Sequence, residues 1–162
     1  MPDRRSMTID CIGARETGDD RPPFFVRRFS AGDRETRAVL CDLVRALGNA
    51  GIGSDDVSNA ELIVAEVLNN VSEHAYADGA GPVELKVAID CGGFCCEIAD
   101  CGQPMPANDA PDPELPVIAP PDNLPEGGFG WHIIRCLSSD LSYRRDQGWN
   151  RLSIRMPWSG FG

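Results

Sequence analysis

The sequence predicts an α+β domain built as a two-layer α/β sandwich, in which a mostly antiparallel mixed sheet carries helices on one face. Four or five short segments alternate apolar and polar residues, as half-buried strands do, and three longer segments repeat apolar residues at helical spacing. Tight turns join several consecutive strands, and such turns pair strands antiparallel. The regular strand–helix alternation of a dinucleotide-binding sheet does not occur. A two-layer arrangement is therefore favoured over a doubly wound one.

Length, composition and charge limit the class of protein. The 162 residues fit one domain, and 42% apolar with 25% charged residues is ordinary globular usage, which excludes general disorder. The net charge of −10 argues against direct binding to nucleic acid and to anionic membranes. No apolar run approaches the roughly 18 residues of a membrane span. The first 20 residues lack the apolar core of a secretory signal, so we expect a cytoplasmic protein.

The first half of the chain predicts one strand and two helices. Residues 1–20 are polar and turn-rich, and we expect them to be partly flexible or to add a strand. Aromatic and β-branched residues at 24–30 follow two prolines and predict a strand. Helical spacing predicts one helix over 33–50, which glycines close. It predicts a second helix that begins at Ser54 or Asp55, both good N-caps, and runs to Tyr76.

The second half predicts a hairpin, a long loop, a short helix and a second hairpin. Alternating residues predict strands over 83–90 and 94–99, joined by a glycine turn. Residues 103–126 hold eight of the chain's thirteen prolines and show no periodicity, which is typical of a functional or disordered loop. The remaining elements are a short helix and two strands, at 131–137, 141–145 and 151–156. Trp131 begins that helix and is expected in the core. Residues 21–162 are thus expected to form the single domain.

One face of the second predicted helix is unusually polar. Glu66, Asn70, Glu73 and His74 lie opposite the apolar face, and the first two are one helical turn apart. Asparagine in a helix interior competes with the backbone for hydrogen bonds and lowers helicity. A consecutive pair at 69 and 70 therefore indicates either a function or an unusual solvated face. A carboxylate one turn from a carboxamide suits a divalent cation beside an activated water or hydroxyl.

Two glycine-containing motifs follow this helix. Asp100 and Gly102 end the first hairpin, where the aspartate can accept a hydrogen bond from an amino group and the glycine permits close approach of a ligand. Most such triplets are only turns. Residues 126–130 bring three glycines to the start of a helix, as phosphate-binding loops do, although a flexible loop end would look the same. No Lys-Ser/Thr pair follows, so this is not a Walker A motif.

In this order, the three motifs resemble those of the GHKL ATPases, which have the Bergerat ATP-binding fold. The similarity is greatest to the anti-sigma-factor serine kinases of bacterial partner-switching systems, and it covers residues 24–157. The resemblance implies ATP and Mg²⁺ as cofactors. It implies Glu66 as the general base and Asn70 as the magnesium ligand.

The same resemblance implies how the nucleotide is held. Asp100 would accept from the adenine amino group, Gly102 would make room for the ring, and residues 103–126 would form the ATP lid. The other implied nucleotide-binding residues are Asn70, His74, Gly128, Phe129 and Gly130. Two positions depart from the family's pattern, since Pro104 replaces a glycine and Pro125-Glu126 stands where an arginine is common.

The function implied is an ATP-dependent kinase that regulates transcription. It would phosphorylate a serine or threonine of an anti-anti-sigma (STAS-domain) partner and sequester a sigma factor, and a homodimer is plausible. The alternative is a non-catalytic, nucleotide-gated binding module of the same fold. A third alternative is a thiol-redox or metal protein, because the chain has seven cysteines. No C-x-x-C occurs, and we expect free thiols that behave as small apolar residues.

Overall fold

The computed structural model describes residues 22–111 and 129–159. A five-stranded sheet has the order β1-β2-β3-β5-β4. Its strands are β1 Phe25–Ser30, β2 Pro82–Asp90, β3 Gly93–Asp100, β4 Asp140–Asp146 and β5 Trp149–Pro157. The helices are α1 Asp33–Asn49, α2 Ser54–Asn70 and α3 Phe129–Leu137, with a π-helical turn at Val71–Ala75 and a 3₁₀ turn at Pro106–Asn108.

The strand pairing confirms the predicted fold class. All four neighbouring pairs in the described sheet are antiparallel. A parallel pair, which a mixed sheet would need, does not occur between the described strands. The hairpins β2–β3 and β4–β5 are those that the alternating pattern predicts, and β5 lies beside β3 at the centre of the sheet.

The core lies between the helices and one face of the sheet. Alternate residues of the central strands point into it, while their neighbours face the other side. The fully buried members include Leu43, Leu47, Ile63, Val64, Val67, Leu85, Phe94, Ile98 and Ile134. The opposite face of the sheet carries ion pairs such as Arg151–Glu97, at 3.0 Å. The sandwich thus has one layer of helices on one layer of strands, as predicted.

The second helix ends differently from the prediction. It is α-helical only to Asn70 and continues as the π-helical turn, in which the Tyr76 N–H donates to the Val71 carbonyl at 3.0 Å. The Tyr76 hydroxyl then donates to the Pro82 carbonyl at 2.7 Å and accepts from the Cys101 N–H at 2.8 Å. These contacts join the helix end to two strands. They depend on the tertiary structure, which local spacing does not encode.

Several predicted segments lie wholly or partly outside the described residues. These are the N-terminal segment 1–20, the greater part of the predicted lid at 112–126, and Gly128. Helix α3 begins at Phe129, two residues before the predicted start. No helix in the described part of the chain is long and apolar enough to cross a bilayer.

Candidate functional site

A cavity of about 430 Å³ opens between the end of α2, the strands β3 and β5, and residues 103–111. Its volume lies in the range of about 300–1,000 Å³ that small-molecule sites occupy. The wall is mostly apolar and includes Val67, Ile98, Met105, Trp131 and Leu152. Trp131, expected in the core, is half-buried and forms part of this wall while packing on the core.

A buried carboxylate forms the polar part of the cavity. Asp100 is only 5% exposed. Its Oδ1 accepts from Asn150 Nδ2 and from the Gly102 N–H, both at 2.8 Å. Within the described residues, Oδ2 accepts no hydrogen bond. Burial raises the pKa of this carboxyl, although the bonds from Asn150 and Gly102 oppose the rise. An acceptor that is open to a mostly apolar cavity favours a ligand that presents a donor there.

Asn150 holds this carboxylate and was missed by the sequence analysis. It lies opposite Asp100 in the β3–β5 register and is 4% exposed. Its Nδ2 also donates to the Gln103 carbonyl at 2.9 Å, and its Oδ1 accepts from the Tyr143 hydroxyl at 2.7 Å. A signal existed in the sequence, because Asn150 occupies an inward position in the same alternation as Leu152. A polar residue on a buried strand face needs partners.

Gly102 is required by the packing of the backbone. A Cβ at this position would overlap the carbonyl group of Ala75 at the end of the π-helical turn. The next residue, Gln103, donates its N–H to that carbonyl at 2.8 Å. Gly102 is absent from the described wall of the 430 Å³ cavity. The glycine therefore allows the turn after β3 to pack directly on the helix end.

Asn70 lies in the cavity wall with an unsatisfied donor. Its Nδ2 is buried and has no hydrogen-bond partner among the described residues. Leaving such a group unpaired costs about 1–3 kcal/mol. A ligand that offers an acceptor to this nitrogen would recover that free energy. The polar groups that the cavity wall offers to a ligand thus include an acceptor at Asp100 and a buried donor at Asn70.

Glu66 lies next to the start of α3 and outside the described cavity wall. It is half-buried on α2, and a Cβ at Gly130 would be 2.6 Å from its Oε2. Phe129, the residue before, is 45% exposed. The structure therefore brings Glu66 together with the glycine-rich end of the predicted phosphate loop. His74 is exposed and lines the rim of the cavity.

The cysteines of the described residues are free thiols except for Cys91. The described residues contain no group of three or more His, Cys, Asp or Glu that could hold a metal ion. Cys41, Cys101 and Cys136 are exposed free thiols, and burial raises the pKa of the Cys96 thiol. The expectation of free thiols is wrong for Cys91, which is disulfide-bonded.

An antiparallel sheet with helices on one face, and a cavity between them with a buried aspartate, is the arrangement of a GHKL-type ATPase domain. The family model described as the histidine kinase-like ATPase domain matches residues 29–156. The chain belongs to this family, and membership implies ATP binding.

Curated relatives and solved structures agree with this assignment. The serine-protein kinases RsbW of Bacillus cereus and Bacillus anthracis are 25% identical over 100 residues, which is 60% of this chain and 62% of theirs. The match therefore covers less than two thirds of these relatives.

Among solved structures, the RsbU and RsbW domains of Rv1364c from Mycobacterium tuberculosis align with TM-score 0.55 and 17% identity, over 81% of this chain and 32% of that one. The Erythrobacter litoralis EL346 blue-light activated histidine kinase aligns with TM-score 0.50 and 22% identity, over 75% and 41%. At these identities the structural likeness shows the fold alone.

Proposed function

We propose that the domain binds Mg-ATP in the 430 Å³ cavity and transfers the γ-phosphoryl group to a serine or threonine of a partner protein. One observation carries the proposal. An acceptor oxygen without a hydrogen-bond partner on Asp100 and a buried donor without a partner on Asn70 lie in the wall of the same mostly apolar cavity, among the described residues. An adenine nucleotide has a flat apolar ring with an amino group at one end and phosphate oxygens at the other.

The aspartate end suits adenine. The exocyclic amine of adenine can donate to Asp100 Oδ2, whereas guanine carries a carbonyl oxygen at the same place. That oxygen would face the carboxylate with no proton between them, which penalises guanine. The apolar wall around the aspartate, including Ile98 and Met105, suits the ring itself.

The asparagine end suits the phosphates. Asn70 Nδ2 can donate to a phosphate oxygen, and its carboxamide oxygen is a ligand of the type that Mg²⁺ accepts. Mg²⁺ takes most of its ligands from phosphates and water, so the absence of an acidic cluster in the described residues does not conflict with it. When bound, the metal would offset phosphate charge. No Lys or Arg lines the described cavity, so the amides at the start of α3 would supply the remaining stabilisation.

The surroundings of Glu66 suit a reaction with a protein substrate. As a general base it would accept the proton of the attacking hydroxyl. Three large hydrophobic side chains are exposed in the described residues, and two of them flank this carboxylate. Leu62 lies one turn before it on α2 and is 40% exposed, and Phe129 precedes the glycine that touches it. Exposed apolar surface beside a reactive group favours a macromolecular partner.

The proposed partners follow from the resemblance to the anti-sigma-factor kinases and from the similarity to the RsbW relatives, which are serine-protein kinases. The phosphoacceptor is a STAS-domain anti-anti-sigma protein, the sequestered client is a sigma factor, and the protein acts as a homodimer. The non-catalytic alternative is favoured by a different observation, namely that no Lys or Arg side chain lines the described cavity wall.

A thermal-shift titration tests the nucleotide site first. Mg-ATP and Mg-ADP should raise the melting temperature, because a ligand that binds only the folded state stabilises it, whereas Mg-GTP should not. Asp100→Asn should remove the adenine preference. Transfer of label from γ-labelled ATP to a STAS-domain partner would then establish the kinase. Adenine-specific binding without transfer would assign the non-catalytic module, and no shift at millimolar nucleotide would reject the site.

A further inference from the structure

Residues 103–111 form one wall of the cavity, and we refer to them as the strap. The strap contributes Pro104, Met105 and Pro106 near its start and Pro111 at its far end. Its first residues are held by three hydrogen bonds. The Gln103 N–H donates to Ala75, the Gln103 carbonyl accepts from Asn150, and the Met105 N–H donates to the Tyr143 hydroxyl at 3.2 Å.

The far end of the strap is held by one side chain. Arg135 of α3 donates to the Pro111 carbonyl from Nε at 3.2 Å and from Nη2 at 3.1 Å, and to the Ala110 carbonyl from Nη2 at 3.2 Å. Ala110 is 6% exposed and belongs to the core. Among the hydrogen bonds of the described residues, only these three tie residues 106–111 to another element.

We propose that Arg135 is a positioning residue for nucleotide binding, acting through the strap and not by touching the ligand. It does not line the described cavity, but it fixes the Pro111 end of the wall against which the base would lie. A guanidinium fork can serve two successive carbonyls together, whereas an ammonium group offers no fixed fork. A wall that is already ordered also lowers the entropy lost on binding. This inference rests on the proposed nucleotide site.

The test is calorimetric titration of Mg-ADP and of adenosine into the wild type, Arg135→Ala and Arg135→Lys. We expect Arg135→Ala to weaken both ligands about tenfold, in line with the ordering cost of a few side chains, and Arg135→Lys to be intermediate. Adenosine has no phosphates, so an equal loss would place the effect at the base and not in removed charge. Arg37→Ala is the matched control, because Arg37 is exposed on α1, and it should bind as the wild type does.

Each outcome decides the matter. Titrations are run where every variant is folded, so a purely structural role would lower the melting temperature and leave both dissociation constants unchanged, which would overturn the inference. If Arg135→Ala does not fold, the test uses Arg135→Lys. Wild-type affinity for both ligands in that variant would overturn the inference. Wild-type protein that binds neither ligand would overturn the proposed function, a result distinct from equal binding by wild type and variant.

Discussion

The two ends of the cavity are built in different ways. At the aspartate end, the Asn150 side chain holds the groups together. It accepts from the Tyr143 hydroxyl and donates to Asp100 and to the Gln103 carbonyl, with hydrogen bonds of 2.7–2.9 Å. At the other end, Asn70 has an unpaired buried nitrogen, and Glu66 forms no hydrogen bond within the described residues. The aspartate end is thus ordered by its own hydrogen bonds and keeps one open acceptor, whereas the asparagine end keeps a buried donor without a partner. In the proposed function these are the base end and the phosphate end.

The difference follows from the elements that carry each end. Asp100 and Asn150 are paired across adjacent central strands, and strand register fixes their separation. Glu66 projects from α2 toward Gly130 in the first turn of α3, and Asn70 lies one turn further along α2 in the cavity wall. The residues just before Phe129 lie outside the described part of the chain. In the proposed function, the rigid base end would set selectivity, and the open phosphate end would leave room for the metal and the acceptor hydroxyl.

The largest effect should come from removing the proposed base. Glu66→Gln should lower phosphoryl transfer to the partner by about 10²- to 10⁴-fold, since that is the usual contribution of general base catalysis. The dissociation constant of Mg-ADP should stay unchanged, because Glu66 is outside the described cavity wall. Glu61→Gln, an exposed change on the same helix, is the control. Transfer at the wild-type rate would remove Glu66 from the base role.

Asn150→Ala should break the aspartate end. The substitution removes the hydrogen-bond partner of the Tyr143 hydroxyl, of the Gln103 carbonyl and of Asp100 Oδ1. The free energy of unfolding in urea should therefore fall by about 3 kcal/mol. Discrimination between ATP and GTP should fall as well, because Asp100 is no longer oriented. Asn69→Ala, at an exposed helical position, should do neither. Retained discrimination in Asn150→Ala would mean that the β3 backbone alone positions Asp100.

Sequence reasoning predicted the fold because the patterns that indicate strands and helices are local and periodic. Alternation and β-branched or aromatic runs located the five strands of the described sheet, and helical spacing located α1 and α2. The π-helical turn was missed, since it accompanies hydrogen bonds from Tyr76 to β2 and to the turn after β3. Such contacts join residues distant in sequence, and no window along the chain contains them.

The candidate site was predicted only where a motif is contiguous. Glu66 and Asn70 share a helix face, and Asp100 stands before a glycine turn, so each has a local pattern. Asn150 shows only a polar residue at an inward strand position, and its meeting with Asp100 depends on strand register. Arg135 shows no local pattern, because it meets the strap only through tertiary packing. Their roles became visible from partners and burial.

Two glycine substitutions compare the rigidity of the two ends. Gly102→Ala would place a methyl group against the Ala75 backbone carbonyl, which cannot move away, so we expect a loss of about 1–2 kcal/mol in urea unfolding. Gly130→Ala would meet only the end of the Glu66 side chain, which can rotate. It should leave stability nearly unchanged and lower phosphoryl transfer by displacing that carboxylate. Equal destabilisation by both would show that the phosphate end is as rigid as the base end.

The smallest effect should be a pH dependence from Asp100. Because burial raises its pKa in the folded protein above the unfolded value, the folded state holds the proton more tightly. The stability from this group is present at low pH and is lost as the pH rises through the folded-state pKa. The affinity for adenine nucleotides should increase as the pH rises through the same range, because the adenine amine donates to the ionised carboxylate.

The difference between wild type and Asp100→Asn isolates this group, because the other carboxylates titrate in both proteins and cancel. Asparagine keeps an acceptor for the Gly102 N–H and for Asn150, so the variant should fold. The urea midpoint of the wild type, relative to the variant, should therefore fall with rising pH over that window. A difference that stays flat or rises would mean that the bonds from Asn150 and Gly102 outweigh burial. The ionised Asp100 carboxylate would then be stabilised in the folded protein even without a bound adenine.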